Sequence, residues 1–356
     1  MKILVALSGG VDSSVVAALL QEQGHEVHAG FMINYLSNSP NCTTRADLEV
    51  AKSVATHLSI PFYTFDYIEE YNDRIVSLIY DGYSKGHTPN PDIWCNNLVK
   101  FDLFASEAQQ AGYDMIATGH YAQIQYHHDQ PELYRGVDHL KDQAYFLSRL
   151  SREQLSFAQF PIGNIPKSEV RELAKKFQLP NALRPDSQGL CFIGKVSMQD
   201  FLAERLPSVP GDIFDTTGKK IGEHQGLWRY TLGQRKGIEV GGGPALYVIQ
   251  KDQKNNILVV GPKDDSLRRQ YRFLVGNWNI LCSETEWLDF HRHPESLNVE
   301  IRYHQMPQKI YQTIPNDNGA LEITFVEAQT GGAPGQALVI YHEDRVLGSG
   351  IIELVE

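Results

Sequence analysis

The string Leu4-Val5-Ala6-Leu7-Ser8-Gly9-Gly10-Val11-Asp12-Ser13-Ser14 decides how the rest of the chain is read. Lys2–Leu7 has the pattern of a first strand and Val11–Gln23 that of a helix, so two glycines stand where strand hands over to helix. Without Cβ atoms in the way, backbone N–H groups at such a turn can point at an anion. The helix that follows adds the positive end of its dipole, and Ser8, Ser13 and Ser14 add hydroxyl donors. This is phosphate-binding chemistry of a particular kind. No Gly-Lys-Ser/Thr follows, which excludes the lysine-containing P-loop, and there is no G-x-G-x-x-G dinucleotide fingerprint. Asp12 would repel a phosphate at close range, so it is expected to cap, to face away, or to help hold Mg²⁺.

Outward from the turn, short apolar runs alternate with helical patterns. Glu26–Ile33 is strand-like, Ala46–Leu58 helical, Phe62–Phe65 extended, Asn97–Ala111 helical and Met115–Thr118 strand-like; Lys167–Phe177 is a further helix, stopped by Leu179-Pro180-Asn181. Strands alternating with helices predict an α/β, Rossmann-like parallel sheet with helices on both faces. Beyond about Arg205, Pro207, Pro210-Gly211 and Gly218 punctuate short β pieces, among them Ala245–Val260 with Asn255-Asn256 as its turn. From Phe273 the pieces lengthen: Leu297–Tyr303, Lys309–Ile314, Leu321–Phe325, Ala337–Tyr341 and Ile351–Val355 predict a small closed or nearly closed β-barrel. The expected division is a nucleotide-binding catalytic domain over 1–205, a small central β domain over 206–272 and a C-terminal β-barrel over 273–356.

Composition narrows the class. In 356 residues, 42% hydrophobic and 21% charged, there is material for real cores and none of the bias of a disordered chain. No apolar run approaches the ~20 residues of a membrane span, and the opening run is too short for a signal peptide. A net charge of −11, with acid exceeding base on both sides of residue 200, excludes a protein that coats DNA by charge alone. Local basic patches on an acidic body remain open to a nucleic acid. Four cysteines, Cys42, Cys95, Cys191 and Cys282, are too scattered for a disulfide scaffold, and none form a C-x-x-C pair. A cytoplasmic protein with reduced thiols is expected.

Two of these cysteines lie in unlike settings. Thr88-Pro89-Asn90-Pro91-Asp92-Ile93-Trp94-Cys95 reads as a helix start, with Asn90 at the cap, Pro91 at the first helical position and Asp92 in the first turn. Cys95 then falls just inside the helix, where the dipole favours a thiolate modestly. Pro185-Asp186-Ser187-Gln188-Gly189-Leu190-Cys191-Phe192-Ile193-Gly194 places Cys191 between two glycines, the setting of a loop that swings. A lone cysteine is most often a small buried hydrophobe; two in such settings raise the alternative of a thiol pair.

Ser8-Gly9-Gly10-Val11-Asp12-Ser13 resembles the pyrophosphate-binding loop of the ATP pyrophosphatases, which split ATP into AMP and pyrophosphate. Together with the two cysteine strings, and with Gly119-His120-Tyr121-Ala122, Lys141–Leu147, Tyr230-Thr231-Leu232-Gly233-Gln234-Arg235 and Pro334-Gly335-Gln336, the chain resembles the bacterial tRNA-specific 2-thiouridylase family along almost its whole length. Departures are small: Ala144 where serine is usual, and Gly243-Pro244-Ala245-Leu246-Tyr247 where a Pro-Trp-Tyr-like string is common.

The resemblance implies ATP-dependent thiolation of the wobble uridine. In that family the oxygen on carbon two of the uracil is adenylylated, and a persulfide on the second cysteine, here Cys191, attacks that carbon. The first cysteine, here Cys95, resolves the intermediate or forms a disulfide with Cys191. Ala6, Leu7, Ser8, Gly9, Gly10, Val11, Asp12, Ser13, Met32 and Gly119 are the implied ATP residues. Asn90, Pro91 and Asp92 are the implied target-base residues, Asp92 being also a possible proton shuttle. A wobble base leaves its stack to be modified, so a pocket beside Cys95 suits it. His120, Lys141, Asp142, Gln143, Arg302, Tyr303 and Gln336 are the implied tRNA contacts, with 206–272 implied as a tRNA-contacting domain and 273–356 as a tRNA-binding one.

Bland alternatives stand beside several of these. Met32 suits a core, His120 a satisfied structural role, and Arg302-Tyr303 a strand pair. The stripe Lys167, Arg171 and Lys175 lines one helix face and is more often solvated than a phosphate track. ATP and Mg²⁺ are the expected cofactors; tRNA, a sulfur-relay carrier and an upstream cysteine desulfurase are the expected partners. Two rival functions remain: an amidating synthetase on the same nucleotide chemistry, and an RNA-binding protein with a vestigial loop.

Overall fold

The computed structural model describes residues 1–37, 42–186, 197–238, 240 and 244–356. They divide into two compact units. The first holds Met1–Val76, Pro91–Ser197 and Asp344–Gly348; the second holds Ser77–Asn90, Met198–Glu343 and Ser349–Glu356.

In the first unit, β1 (Lys2–Ala6), α1 (Val11–Glu22), β2 (Glu26–Ile33), α2 (Thr44–His57), β3 (Phe62–Asp66) and β4 (Met115–Ala117) follow the sequence reading closely. The sheet is parallel, in the order β3-β2-β1-β4, with the short strand Ala158–Gln159 beside β4. As the central strand, β1 buries Ile3, Leu4 and Val5 completely. Val15, Val16 and Leu20 of α1 pack into the same core. At roughly 1.5–3 kcal/mol for each large apolar side chain buried, this packing makes a rigid platform under the glycine turn. Strand order reverses between β1 and β4, and a crevice for a ligand opens past the carboxyl ends at such a reversal. The loops after both strands lie there.

The helix start read at Pro91 and the helical pattern read from Asn97 prove to be one run, Pro91–Cys95, a wide-turned π stretch Asn96–Phe104 and Ala105–Gln110. A hairpin also pairs Ala122–His127 with Gln130–Arg135, turning through His128 and Asp129 at φ of 48° and 61°. That turn lacks the Asn-Gly signal that marks most tight hairpins.

The second unit carries a four-stranded sheet in the spatial order Leu246–Asp252, Ile257–Pro262, Gly211–Asp215, Lys220–His224. The expected turn at Asn255-Asn256 is present, with Asn256 at φ 55°. The C-terminal antiparallel strands run Asn298–Glu300, Ala337–His342, Arg345–Val355, Gln270–Ile280, Leu321–Gln329, Ile310–Pro315. A bridge between Val299 and Gln308 joins the two ends of this order, giving the nearly closed barrel that was expected. An added element is the helix Glu284–Arg292, where Ser283 and Glu286 form a full capping box.

The compact units cut the chain differently from the expected boundaries. Residues 77–90 join the second unit because Tyr80 stacks on Phe201 at 5.3 Å and donates to the Phe201 carbonyl at 2.6 Å. Thr88 N donates to the Pro334 carbonyl at 2.7 Å. Among the described residues no helix is long and apolar enough to cross a membrane.

A candidate nucleotide site and its relatives

In the turn after β1 the Gly9 and Gly10 carbonyls are occupied. Ser8 N and Gly10 N donate to Ser13 Oγ and Ser8 Oγ at 3.2 and 3.3 Å, and the first amides of α1 are left without a side-chain cap. The Gly9 carbonyl accepts from Asn181 Nδ2 and from Arg184 Nη1, both at 3.0 Å. The Gly10 carbonyl accepts from Ser13 Oγ at 3.2 Å and Ser14 Oγ at 2.8 Å. Arg184 also pairs with Asp47, at the start of α2. Gly9 sits at φ +78°, and a Cβ there would lie 2.5 Å from the Asp47 carbonyl oxygen, so only glycine fits. With the carbonyls tied back, no side chain caps the first turn of α1. Open N–H groups on a helix N-terminus form an anion site.

Gly119, just past β4, completes the cradle. A Cβ on Gly119 would lie 2.8 Å from Ser13 N and 3.0 Å from Asp12 C, so its absence keeps the space over the helix start clear. Met32, near the end of β2, is buried, as its core alternative required. Two residues on, Asn34 buries both amide atoms without a hydrogen-bond partner. Such a group costs about 1–3 kcal/mol. The sequence held no spacing signal for Asn34, Asn181 or Arg184.

Asp12 turns away from the turn's amides. Its Oδ1 accepts from Lys167 Nζ at 2.6 Å and from Tyr121 Oη at 2.9 Å. Lys167 also reaches Asp186 Oδ1 at 2.8 Å; Arg171 and Lys141 reach Asp186 at 2.5 and 3.0 Å. Burial pushes the Asp186 carboxyl up, but its hydrogen bonds and attraction to Lys167 and Lys141 outweigh this and bring it to about 2. Burial and the neighbouring Asp12 raise the Tyr121 phenol. The preferred reading of Lys167, Arg171 and Lys175 as one solvated face is therefore corrected. Lys167, only 12% exposed, and Arg171 turn toward carboxylates, and Lys175 alone stays on the surface with Glu172. Periodicity shows which residues share a face but not what that face meets.

The expected tRNA residues of this unit are held by internal bonds. Asp142 is buried and accepts from Gly136 N, Ala144 N and Arg135 Nη1. Burial raises its carboxyl against those bonds. Gln143 Oε1 accepts from Tyr121 N at 3.1 Å, bringing the Lys141–Gln143 turn beside the Gly119–Tyr121 string. His120 lies between Thr118, 2.7 Å from Nδ1, and Lys100, 3.5 Å from Nε2, with Phe101 and Phe160 packed on its ring. Burial, then the Lys100 charge, holds it well below the usual imidazole range. Both of its nitrogens thus have neighbours, as its structural alternative required.

Pro91 and Asp92 open the helix as expected, and Cys95, five residues in, is fully buried. Cys191 lies outside the described residues. Asn90 belongs to the second unit, and so does Gln336, whose Nε2 donates to the Thr88 carbonyl. A Cβ on Gly335 would lie 2.9 Å from Thr88 N, so the Pro334–Gln336 loop grips the segment just ahead of Asn90. Arg302 and Tyr303 do not form a strand: the strand ends at Glu300 and the chain bends, with His304 at φ +61°. Among the described residues no group of three metal-ligating side chains occurs.

Comparison with known proteins agrees with this order of parts. The model of a tRNA methyl transferase HUP domain matches residues 1–195, that of a tRNA methyl transferase PRC-barrel domain 199–262, and that of an aminomethyltransferase beta-barrel domain 271–352. Two tRNA-specific 2-thiouridylases MnmA from Staphylococcus aureus, strains bovine RF122 / ET3-1 and JH9, are 42% and 41% identical over 99% of this chain and 95% of their own length. Among solved structures, the U34-tRNA thiolase NcsA from Methanococcus maripaludis matches 57% of this chain and 62% of its own at TM-score 0.36 and 19% identity, too loose a likeness to bear on function. Similarity at this level over nearly the full length of both chains places the protein in the tRNA-specific 2-thiouridylase family.

Proposed function

We propose that this chain thiolates carbon two of a tRNA wobble uridine, using ATP and a sulfur carried on Cys191. The observation that carries the reading is the uncapped start of α1, its turn carbonyls tied back by Asn181, Arg184, Ser13 and Ser14 and its approach kept clear by Gly119. That cradle suits the phosphates of ATP. The unpartnered Asn34 amide beside Met32 offers one donor and one acceptor to a base edge. Asp12 is paired with Lys167, and Asp186 with Lys167, Arg171 and Lys141, so these carboxylates do not fit the Mg²⁺ that accompanies ATP phosphates.

The chemistry divides as follows. The uracil oxygen attacks the α-phosphorus and pyrophosphate leaves. A urea-like carbon resists substitution until its oxygen has become the bridging atom of an AMP ester. The terminal sulfur of the Cys191 persulfide then bonds to carbon two as AMP departs with that oxygen. Cys95 thiolate attacks Cys191 Sγ, the sulfur–sulfur bond to the substrate breaks, and thiouridine is released with a Cys95–Cys191 disulfide. An external thiol must reduce that disulfide before another cycle. Cys95 is buried in the structure, so this step needs the thiol uncovered. Sulfur reaches Cys191 from a carrier charged by a cysteine desulfurase.

The test is a reconstituted reaction: full-length protein, ATP, Mg²⁺, unmodified tRNA and a persulfide donor, read by nucleoside mass analysis. Thiolated uridine with one pyrophosphate per sulfur is expected. Cys191→Ser should abolish thiolation while ATP and tRNA binding persist, and thiouridine formed by that variant at the normal rate would remove its role. Nitrogen incorporated into a small molecule would instead indicate an amidating synthetase. Absence of tRNA-dependent pyrophosphate release would indicate a vestigial loop.

A further inference from the structure

The chemistry above gives Asp186 no task, yet three cations of the first unit hold its carboxylate. Oδ1 accepts from Lys167 Nζ at 2.8 Å and from Arg171 Nη2 at 2.5 Å, and Oδ2 accepts from Lys141 Nζ at 3.0 Å. The Asp186 side chain is 37% exposed, so water alone would have satisfied it. Three long side chains nonetheless give up rotamer freedom to meet it. Lys167, the first residue of the helix Lys167–Lys176, also holds Asp12 in the first turn of α1 at 2.6 Å. One ammonium therefore joins Asp186 to the helix whose start forms the nucleotide cradle.

The segment leading up to Asp186 is tied to the same cradle. Asn181 Nδ2 donates to the Gly9 carbonyl and to Ser14 Oγ, and Arg184 donates to the Gly9 carbonyl and pairs with Asp47. Arg171 Nη1 donates to the carbonyls of Ala182 at 3.2 Å and Arg184 at 2.5 Å, so one guanidinium fork spans this segment and ends on Asp186. Cys191 follows five residues further along the chain. At about 3.3–3.6 Å per extended residue, its Cα lies within about 18 Å of that of Asp186. A chain rooted at Arg184 instead, seven residues back, would reach about 25 Å.

We infer that Asp186 is a positioning residue: its ion pairs with Lys167, Arg171 and Lys141 fix the root of the chain carrying Cys191 beside the nucleotide cradle and aim its sulfur at the activated carbon. The inference rests on the proposed thiolation and assigns Asp186 to the sulfur-transfer half alone. Two magnitudes separate an aimed arm from a loose tether. Freeing Asp186 lengthens the arm from five residues to seven. Effective concentration falls as roughly the −3/2 power of length, so a loose tether would lose less than about twofold. An aimed sulfur loses far more, because a misplacement of about 1 Å costs up to ~100-fold in rate.

The test is a single turnover of full-length protein already loaded with persulfide on Cys191, given ATP, Mg²⁺ and unmodified tRNA, with pyrophosphate and thiouridine followed separately. In Asp186→Ala, thiouridine formation should slow roughly 10- to 100-fold, while pyrophosphate release stays within about threefold of wild type. Asp186→Glu, which keeps the charge, should recover most of the lost rate. If Asp186→Ala does not fold, Arg171→Lys, which keeps its charge but loses the fork, should show the same split to a smaller degree. Thiouridine slowed less than about tenfold in folded Asp186→Ala, or no split in Arg171→Lys, overturns the inference. So does equal slowing of both products, the mark of a merely structural residue, and so does an Asp186→Glu protein no faster than Asp186→Ala. Failure of the wild-type protein to form thiouridine would instead refute the proposed function.

Discussion

Gly119→Ala is the sharpest probe of the nucleotide cradle. The added methyl carbon would stand 2.8 Å from Ser13 N and 3.0 Å from Asp12 C, backbone atoms that cannot rotate aside. Ordinary contact begins at 3.4 Å, so the end of β4 or the start of α1 must move by about 0.6 Å. Overpacking of this kind costs about 1–3 kcal/mol of stability. The methyl also covers the N–H of Ser13, removing one hydrogen bond to a charged phosphate, worth about 1.5–3 kcal/mol. At 1.4 kcal/mol per tenfold, ATP should bind roughly 10- to 150-fold more weakly. Gly10→Ala is the control: Gly10 has φ −76°, and its Cβ would meet only Ser8 Oγ, at 3.3 Å, which can rotate. That variant should stay within about threefold of wild type. Calorimetric titration with ATP and with adenosine, alongside thermal unfolding, separates the two effects. A folded Gly119→Ala protein that binds ATP as wild type does would refute the cradle. Equal losses for ATP and adenosine would show that the methyl acts on something other than the phosphates.

The charges around the turn and the buried ammonium of the second unit give further expectations. Lys167→Met leaves Asp12 and Asp186 without their shared ammonium and should lower stability by about 1–3 kcal/mol; adding Asp12→Asn should recover part of that loss in a double-mutant cycle read by urea unfolding. Burial brings the Lys251 ammonium down to about 8 from 10.5, so the unfolded chain binds more protons than the folded one between those values. Wild-type stability should therefore rise with pH across that window, by at most about 3.4 kcal/mol at 1.36 kcal/mol per unit. Lys251→Met, assayed by denaturant unfolding from pH 7 to 11, should remove the rise. Cys95→Ser should let a first sulfur attach to tRNA and stall before release, so mass analysis of the protein–RNA adduct should show a covalent species absent in Cys191→Ser.

Much of the nucleotide half is legible in the order of residues. An alternation of strand and helix periods implies a parallel sheet, and a Ser-Gly-Gly turn after the first strand has few physical uses. The adjacent hairpin is harder to read, because its turn residues, His128 and Asp129, adopt positive φ without glycine. The helix Glu284–Arg292 is signalled by its capping box, but among so many β pieces that short signal stands out poorly.

The features that the residues settle on their own are local: the turn that can hold phosphate, the helix start at Pro91 and the order of domains. These follow from backbone freedom, capping and periodicity, which act over a few residues. Tertiary packing alone brings Asn181 and Arg184 to the Gly9 carbonyl from more than 170 positions away, and turns Lys167 inward to Asp12. Partners so distant in sequence are chosen by how the chain closes on itself, because a charge or an amide finds its counterpart only after packing has fixed which surfaces meet.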